Sequence, residues 1–378
     1  MSAPLRELIV DLDSIAANTA VLAQRSGSSG LMAVVKADAY GHGLVPSARA
    51  AQAGGATWLG VALLEEGLAL RAAGVEGPVL AWLLGADDGW GAAIRADIDL
   101  SVSVEWALSA ISEAAVATSR PARIHLKVDT GLGRSGAPAD DWYSLVVAAR
   151  KAETEGSVQV VGVWSHFAYA DAPGHPTIDR QVEAFRKAVG VAERAGLRPE
   201  VRHLANSAAT LTRPDTHFDL TRPGLAVYGL SPLVDSPSES LGLQPAMSLE
   251  AALALVKRVP AGHGVSYMHR FVTNTETTLG LVPLGYADGV PRSATNVGPV
   301  LAAGRRRTVA GVVCMDQFVL DFGDDPVAAG DVVTLFGPGT SGEPTAQDWA
   351  DATGTISYEI VTRIGPRVRR RYLGGAAS

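Results

Sequence analysis

The sequence predicts an α/β fold: an N-terminal (β/α)₈ TIM-type barrel over residues 1–240, followed by a mostly β C-terminal domain over residues 241–378. Three observations carry this reading. The chain has 378 residues, more than one ordinary domain needs. Its composition, 47% apolar and 19% charged, allows a large core without disulfide or metal staples. The first two-thirds alternates short apolar runs with amphipathic stretches, whereas the remainder is β-rich runs divided by short turns.

Taken in order, eight apolar runs make the barrel strands: 31–35, 58–62, 78–84, 97–102, 123–128, 158–164, 201–204 and 225–230. Each is bounded by Gly, Pro, Asp or Ser. Helical spacing fills the intervals, as at Ile178, Val182, Phe185, Val189 and Ala192. A doubly wound sheet is the competing architecture, but no GxGxxG fingerprint follows the first strand. The Pro- and Ser-rich segment 231–240 reads as the linker. Beyond it, runs such as TTLGLVPLGY and GDVVTLFG read as strands, with AQDWADA as one helical piece.

Composition also sets limits. A net charge of −7 argues against nucleic acid or an anionic membrane as partner. The single cysteine, Cys314, excludes a disulfide framework and a cysteine-based zinc site. The start MSAPLRELIVDLDSI has no apolar h-region, and no run approaches the roughly 20 apolar residues of a membrane helix. The expectation is a soluble cytoplasmic protein with no metal.

Barrel chemistry sits where strands end at their C-termini. Lys36 follows the first run. Desolvation there lowers an ammonium's pKa, as a nucleophile or base requires, although a lysine can also snorkel to water at the rim. Lys127 lies in the fifth run, and Arg134 stands in the loop DTGLGRSG, where its planar fork suits a carboxylate or phosphate. His166 follows the sixth run. Asn206 and Ser207 stand where the next helix is capped, which also makes an anion site. Arg222 and Gly224 precede the eighth run. One by one each has a bland structural reading. Together they place several cations and two backbone anion sites on one barrel face, without an acidic metal cluster. A phosphate-bearing cofactor held by a lysine accounts for the set.

The segment AVVKADAYGHG resembles the pyridoxal-phosphate attachment segment of the alanine racemase family. The resemblance extends over nearly the whole chain, through KVDTGLGRSG, SHFAYAD, HLANSAA, RPGLAVYGLSP, GHGVSYMHRF, LGYADG, CMDQ and ISYEI, in the family's order. It implies interconversion of L- and D-alanine with pyridoxal 5′-phosphate, D-alanine for peptidoglycan, and a homodimer in which Tyr267 reaches the other subunit's site.

The resemblance also implies residue roles. Lys36 carries the cofactor and takes the α-proton from D-alanine, and Tyr267 is the opposite base. Racemisation needs bases on both faces of a planar carbanion, so one lysine does not suffice. Arg222 faces the pyridine nitrogen, and His166 belongs to the network around the tyrosine. Tyr40, Ser207 and Tyr358 contact the phosphate by side chain, Gly224 and Leu225 by backbone N–H, with Asn206 beside them. Arg134 and the N–H of Met315 hold the substrate carboxylate, with Asp316 adjacent. Lys127 matches a lysine that is carbamylated in many relatives, which would relieve repulsion from Arg134. One departure stands out: Met268 occupies a position where many relatives have glycine.

The alternatives are a racemase of serine or of broader specificity, a same-fold decarboxylase of basic amino acids, and a non-catalytic carrier of the cofactor. The decarboxylases carry a Gly-rich phosphate loop and a cysteine–aspartate pair. No GGG occurs here, and Cys314 is followed by Met315. Carriers of that kind consist of the barrel alone, whereas this chain goes on into a second domain.

Overall fold

A computed structural model describes residues 5–86 and 89–375. The chain forms two compact units. One comprises Ile15–Ala39 and Leu44–Leu243; the other takes the described residues through Ser14, Tyr40–Gly43, and the chain from Gln244 onward.

The first strand, β1 (Arg6–Asp11), belongs to the second unit, although a division at residue 240 places it with the barrel. Its alternation explains why: Leu8 and Val10 are fully buried, and its backbone pairs antiparallel with the strand that opens the later segment.

The barrel strands are β2 (Gly30–Val34), β3 (Trp58–Val61), β4 (Val79–Ala81), β5 (Ile98–Val102), β6 (Ala122–Lys127), β7 (Val158–Trp164), β8 (Val201–His203) and β9 (Leu220–Thr221). Neighbours in sequence pair in parallel from β2 to β8, and β9 pairs with β2. The result is a nearly closed barrel rather than a doubly wound sheet. At the seam, the Asp219 N–H donates to the Arg202 carbonyl at 3.0 Å. The Arg202 guanidinium in turn grips Asp219 through Nε, 2.6 Å, and a terminal nitrogen, 3.0 Å. The helix Thr177–Arg194 matches the periodicity read from sequence, burying Ile178, Val182, Phe185, Val189 and Ala192. Between the strands, Met32, Leu80 and Leu220 pack with Trp58, Trp82 and Val201.

One strand is corrected. Residues 225–230 do not form the eighth strand; Leu225–Tyr228 is a buried 3₁₀ turn, and the closing strand is the two-residue β9 just before it. Four buried apolar residues in a row read as a strand when only burial is visible. Here Gly229, at φ 80°, ends the turn instead.

In the second unit, the later strands are β10 (Met247–Ala252), β11 (Leu255–Val259), β12 (Gly264–Val265), β13 (Phe271–Val272), β14 (Thr277–Val282), β15 (Pro299–Ala302), β16 (Arg305–Thr308), β17 (Phe318–Gly323), β18 (Val332–Phe336) and β19 (Arg369–Leu373). They form a six-stranded sheet ordered β16-β15-β18-β10-β1-β19, a three-stranded sheet β11-β14-β17, and the hairpin β12-β13. A cluster of Val259, Val265 and Leu279 packs with Phe271 and Val319. The expected helix is present at Ala346–Thr353, capped by Thr345, and a second helix, Ser357–Thr362, carries Tyr358.

Candidate active site

The side chains singled out in the barrel unit stand at or just past strand C-terminal ends. Lys36 is two residues beyond β2, Lys127 is the last residue of β6, His166 is two beyond β7, and Arg222 follows β9 directly.

Lys36 opens an unusual segment. Ala37, Asp38, Ala39 and Tyr40 all have φ between 53° and 55°, a left-handed turn built without glycine. Such a conformation costs about 1–2 kcal/mol per residue, so neighbours must hold it. The Ala37 N–H donates to Glu66 Oε1, 2.5 Å, and the Leu44 N–H donates to Asp38 Oδ1, 2.8 Å. Glu66 Oε2 also accepts from the N–H groups of Ala62 and Leu63, at 2.9 and 3.0 Å. Burial, then the charge of Arg134, lowers the Lys36 pKa; Glu66 opposes them. The amine is thereby biased toward its neutral, nucleophilic form.

Lys127 is the most burdened cation. Its Nζ donates to Ser135 Oγ at 2.6 Å and lies 4.1 Å from the centroid of the Trp164 ring. Burial, followed by Arg222 and Arg134, brings its pKa down to about 7. The Arg134 loop is organised by Asp129, whose carboxylate accepts from the N–H groups of Gly131, Leu132 and Gly133. Gly136 closes the loop at φ 111°, where a Cβ would lie 2.6 Å from the Asp129 nitrogen.

Arg222 is buried over Trp164, 4.9 Å from its centroid. It donates to the carbonyls of Ser165, 2.7 Å, and Leu204, 3.2 Å, and to ring nitrogens of His203, 3.2 Å, and His166, 3.3 Å. All four acceptors are neutral groups. Burial pushes the guanidinium pKa down, yet so basic a group stays charged. Burial, then Arg222, Arg134, Lys127 and Lys36, pushes His166 well below its ordinary value, so its imidazole is neutral.

Asn206 caps the helix Ser207–Thr212 as expected, its Oδ1 accepting from the Ala209 N–H at 3.1 Å. Ser207 does not cap. Its Oγ accepts from the Gly224 and Ala226 N–H groups, at 2.8 and 3.3 Å, which draws Gly224 and Leu225 beside it.

The other expected residues stand in the second unit. The Tyr40 and Tyr358 rings are 6.1 Å apart, tilted by 42°. Burial, with Tyr358 adding to it, holds the Tyr40 hydroxyl well above its ordinary pKa, so it remains an O–H donor. Tyr267 is 71% exposed on a 3₁₀ turn, between Ser266 at φ 62° and Met268 at φ 58°. The left-handed φ of Met268 explains why a glycine is suited there. Met315 lies in a loop whose carbonyl accepts from the Ala287 N–H at 2.9 Å. Its neighbour Asp316 is tied down by the Arg367 guanidinium at 2.6 Å, and Arg367 also lies 3.3 Å from the buried Asp288.

Sequence reading missed Glu66, Asp99, His125, His203 and Arg367. Each has at least one hydrogen-bond partner 26 or more residues away, which no local spacing signals.

The donor set can be tested against pyridoxal phosphate. Lys36, Lys127, Arg134 and Arg222 share one field: Lys127 is lowered by the other three, and Glu66 and Asp129 are the acids that offset it. So many mutually repelling cations call for an anion, and a lysine of lowered pKa among them, Lys36, suits attachment of an aldehyde. The residues fit the group.

The fold and site define a class: a barrel enzyme with an added β unit and a cation-rich group of side chains at the strand ends of the barrel. Profiles described as alanine racemase, N-terminal domain, and alanine racemase, C-terminal domain, match residues 10–232 and 246–372. The chain is 62% identical to an alanine racemase of Frankia casuarinae over 366 residues, covering 97% of this chain and 95% of that one. It is 60% identical to one of Salinispora arenicola over 370 residues, covering 97% and 98%. Among solved structures, alanine racemase from D-cycloserine-producing Streptomyces lavendulae superposes with a TM-score of 0.97 at 57% identity, covering 100% of this chain and 99% of that one. That of Streptomyces coelicolor gives 0.96 at 56% identity, covering 98% of each. The chain belongs to the alanine racemase family, and it is an amino-acid racemase acting on alanine. The decarboxylase, carrier and broader-racemase readings are not favoured. No described helix is long and apolar enough to cross a membrane.

Proposed function

We propose that the chain racemises alanine with pyridoxal 5′-phosphate held on Lys36, using Lys36 and Tyr267 as bases on opposite faces. The observation that supports this best is the convergence of Arg222, Arg134 and Lys36 on Lys127, together with the lowered pKa of Lys36 itself. When bound, the cofactor supplies an electron sink that makes the α-proton of alanine removable.

The protein's own residues do the rest. The Lys36 amine accepts the α-proton of D-alanine and returns one to the same face. The Tyr267 phenolic oxygen does so for L-alanine. Arg222, an obligate donor, would face the ring nitrogen of the cofactor, which would then serve as an acceptor and stay unprotonated. The hydroxyls of Tyr40, Ser207 and Tyr358, with the N–H groups of Gly224 and Leu225, hold the phosphate. Asn206 fixes the helix start beside them. Arg134 and the Met315 N–H grip the substrate carboxylate, and neutral His166 tunes the tyrosine. Lys127, half neutral near pH 7, reacts with carbon dioxide to give a carbamate and a proton; the new carboxylate orients Arg134. The enzyme works in the cytoplasm as a homodimer and supplies D-alanine to the cell wall.

Circular dichroism of L- and D-alanine solutions, run beside serine and lysine, tests the reaction. Loss of optical activity with alanine and no carbon dioxide release is expected. Borohydride should fix the cofactor on the peptide containing Lys36. A reducible adduct that persists in Lys36→Ala would sink the assignment.

A further inference from the structure

The interior of the barrel carries a file of polar side chains where apolar layers are usual. It starts at β5 and ends beyond β9. Arg123 Nε donates to Asp99 Oδ1 at 2.8 Å. His125 Nε2 lies 3.0 Å from Asp99 Oδ2, and His125 Nδ1 lies 2.8 Å from His203 Nε2. An Arg222 nitrogen reaches His203 Nδ1 at 3.2 Å. Asp99, His125, His203 and Arg222 are each no more than 4% exposed.

Packing also holds the rings. Trp164 stacks on His203, the planes 4° apart, and Trp58 meets His125 edge-on. Gly162 in β7 makes the room: a Cβ there would lie 2.2 Å from His125 Nδ1.

The two ends dictate the middle. A guanidinium only donates, and a carboxylate only accepts. His203 Nδ1 therefore accepts, which puts its proton on Nε2. That N–H donates to His125 Nδ1, so the His125 proton is on Nε2 and is donated to Asp99. A second proton on His125 would force His203 to turn an Nδ1–H against Arg222.

We propose that Asp99 is a positioning residue: through His125 and His203 it fixes the acceptor that aims the Arg222 guanidinium. The role at the cofactor rests on the reading of Arg222 as the partner of the ring nitrogen. His203 is the one acceptor of that Arg222 nitrogen among the described residues, while the other terminal nitrogen is held by Ser165, Leu204 and His166.

The test is nitrogen NMR of the holoenzyme with isotope-labelled histidine. In the wild type, His125 and His203 should both show the Nε2–H tautomer. In Asp99→Asn, Arg123 retains the amide oxygen, so the NH₂ turns toward His125. Both rings should then switch to Nδ1–H, with His203 now opposing Arg222. Turnover should fall about tenfold while KM stays within about twofold, because Arg222 touches cofactor and not substrate. A second pair covers a variant that fails to fold. His125→Gln can still donate to Asp99 and accept from His203, so it should keep the His203 Nε2–H tautomer and lose less turnover than His125→Leu.

An Nδ1–H ring in the wild type overturns the proposal. So do unchanged tautomers or turnover in Asp99→Asn, or equal losses in the two His125 variants. Borohydride labelling of Lys36 does not depend on Asp99. Failure of that labelling with the expected tautomers overturns the cofactor reading alone, and normal labelling with the wrong tautomers overturns the positioning role alone.

Discussion

Lys127 shows how a site sets residues against stability. Its pKa of about 7 in the fold compares with an ordinary 10.5. Between those values the unfolded chain binds more protons than the folded one, so this group makes stability rise with pH across that window. Lys127→Met should flatten the rise. It should also stabilise the cofactor-free protein by about 1–2 kcal/mol near pH 7, because a buried, repelled cation is removed. Denaturation midpoints at about pH 7 and about pH 9 in carbon dioxide-free buffer check both claims. Added bicarbonate should weaken the pH dependence of the wild type only, and labelled bicarbonate should show a carbamate carbon lost in the variant. At Tyr267 the expected outcome is directional. Tyr267→Phe should abolish solvent exchange of the L-alanine α-proton and spare that of D-alanine; equal residual exchange would contradict separate bases. Lys36 was legible because a charge directly after an apolar run is conspicuous. Asp99, His125 and His203 were not, since their bonds join residues 26 and 78 apart and a buried histidine looks in sequence like any other.

At the scale of elements, the left-handed turn after β2 is the least legible feature. KADAY contains no glycine, and alanine favours right-handed helix, so local propensity points the wrong way. The bonds from Ala37 to Glu66 and from Leu44 to Asp38 override it. This reverses the usual substitution rule. In an ordinary helix Ala→Gly costs about 1 kcal/mol. At Ala37, which is exposed, Gly relieves steric strain and offsets its own entropy cost, so Ala37→Gly should change stability by less than about 0.5 kcal/mol. Ala37→Val, β-branched at a positive φ, should cost about 2 kcal/mol. Urea titration of both variants decides; a normal helical ranking would mean the turn is not left-handed in solution. The turn bearing Tyr267 has the same character, with Ser266 at φ 62° and ψ −170° held by its hydroxyl donating to the Val312 carbonyl at 2.8 Å. The eighth strand failed for the opposite reason: β9 has two residues, too short for any periodicity to announce it, while the buried turn behind it reads as a strand.

At the scale of the whole molecule, the two proposed bases belong to different compact units, Lys36 to the barrel and Tyr267 to the β unit. Tyr267 and Met268 are 71% and 83% exposed in the single chain, a large apolar surface to leave in water beside a strained backbone. Both features suit a turn whose partner is a second copy of the chain. We propose a head-to-tail pair in which each site draws Lys36 from one subunit and Tyr267 from the other, with two-fold symmetry making the two sites identical. Mixing two inactive variants, Lys36→Ala and Tyr267→Phe, under mild unfolding and refolding tests it. In a hybrid dimer one shared site has both residues intact and the other has neither. Random reassortment makes about half the dimers hybrids, so activity should return to about a quarter of wild type. If each site were built from a single chain, every site in the mixture would lack one base. Mixing would then restore nothing, and sedimentation of an active monomer would say the same by an independent route.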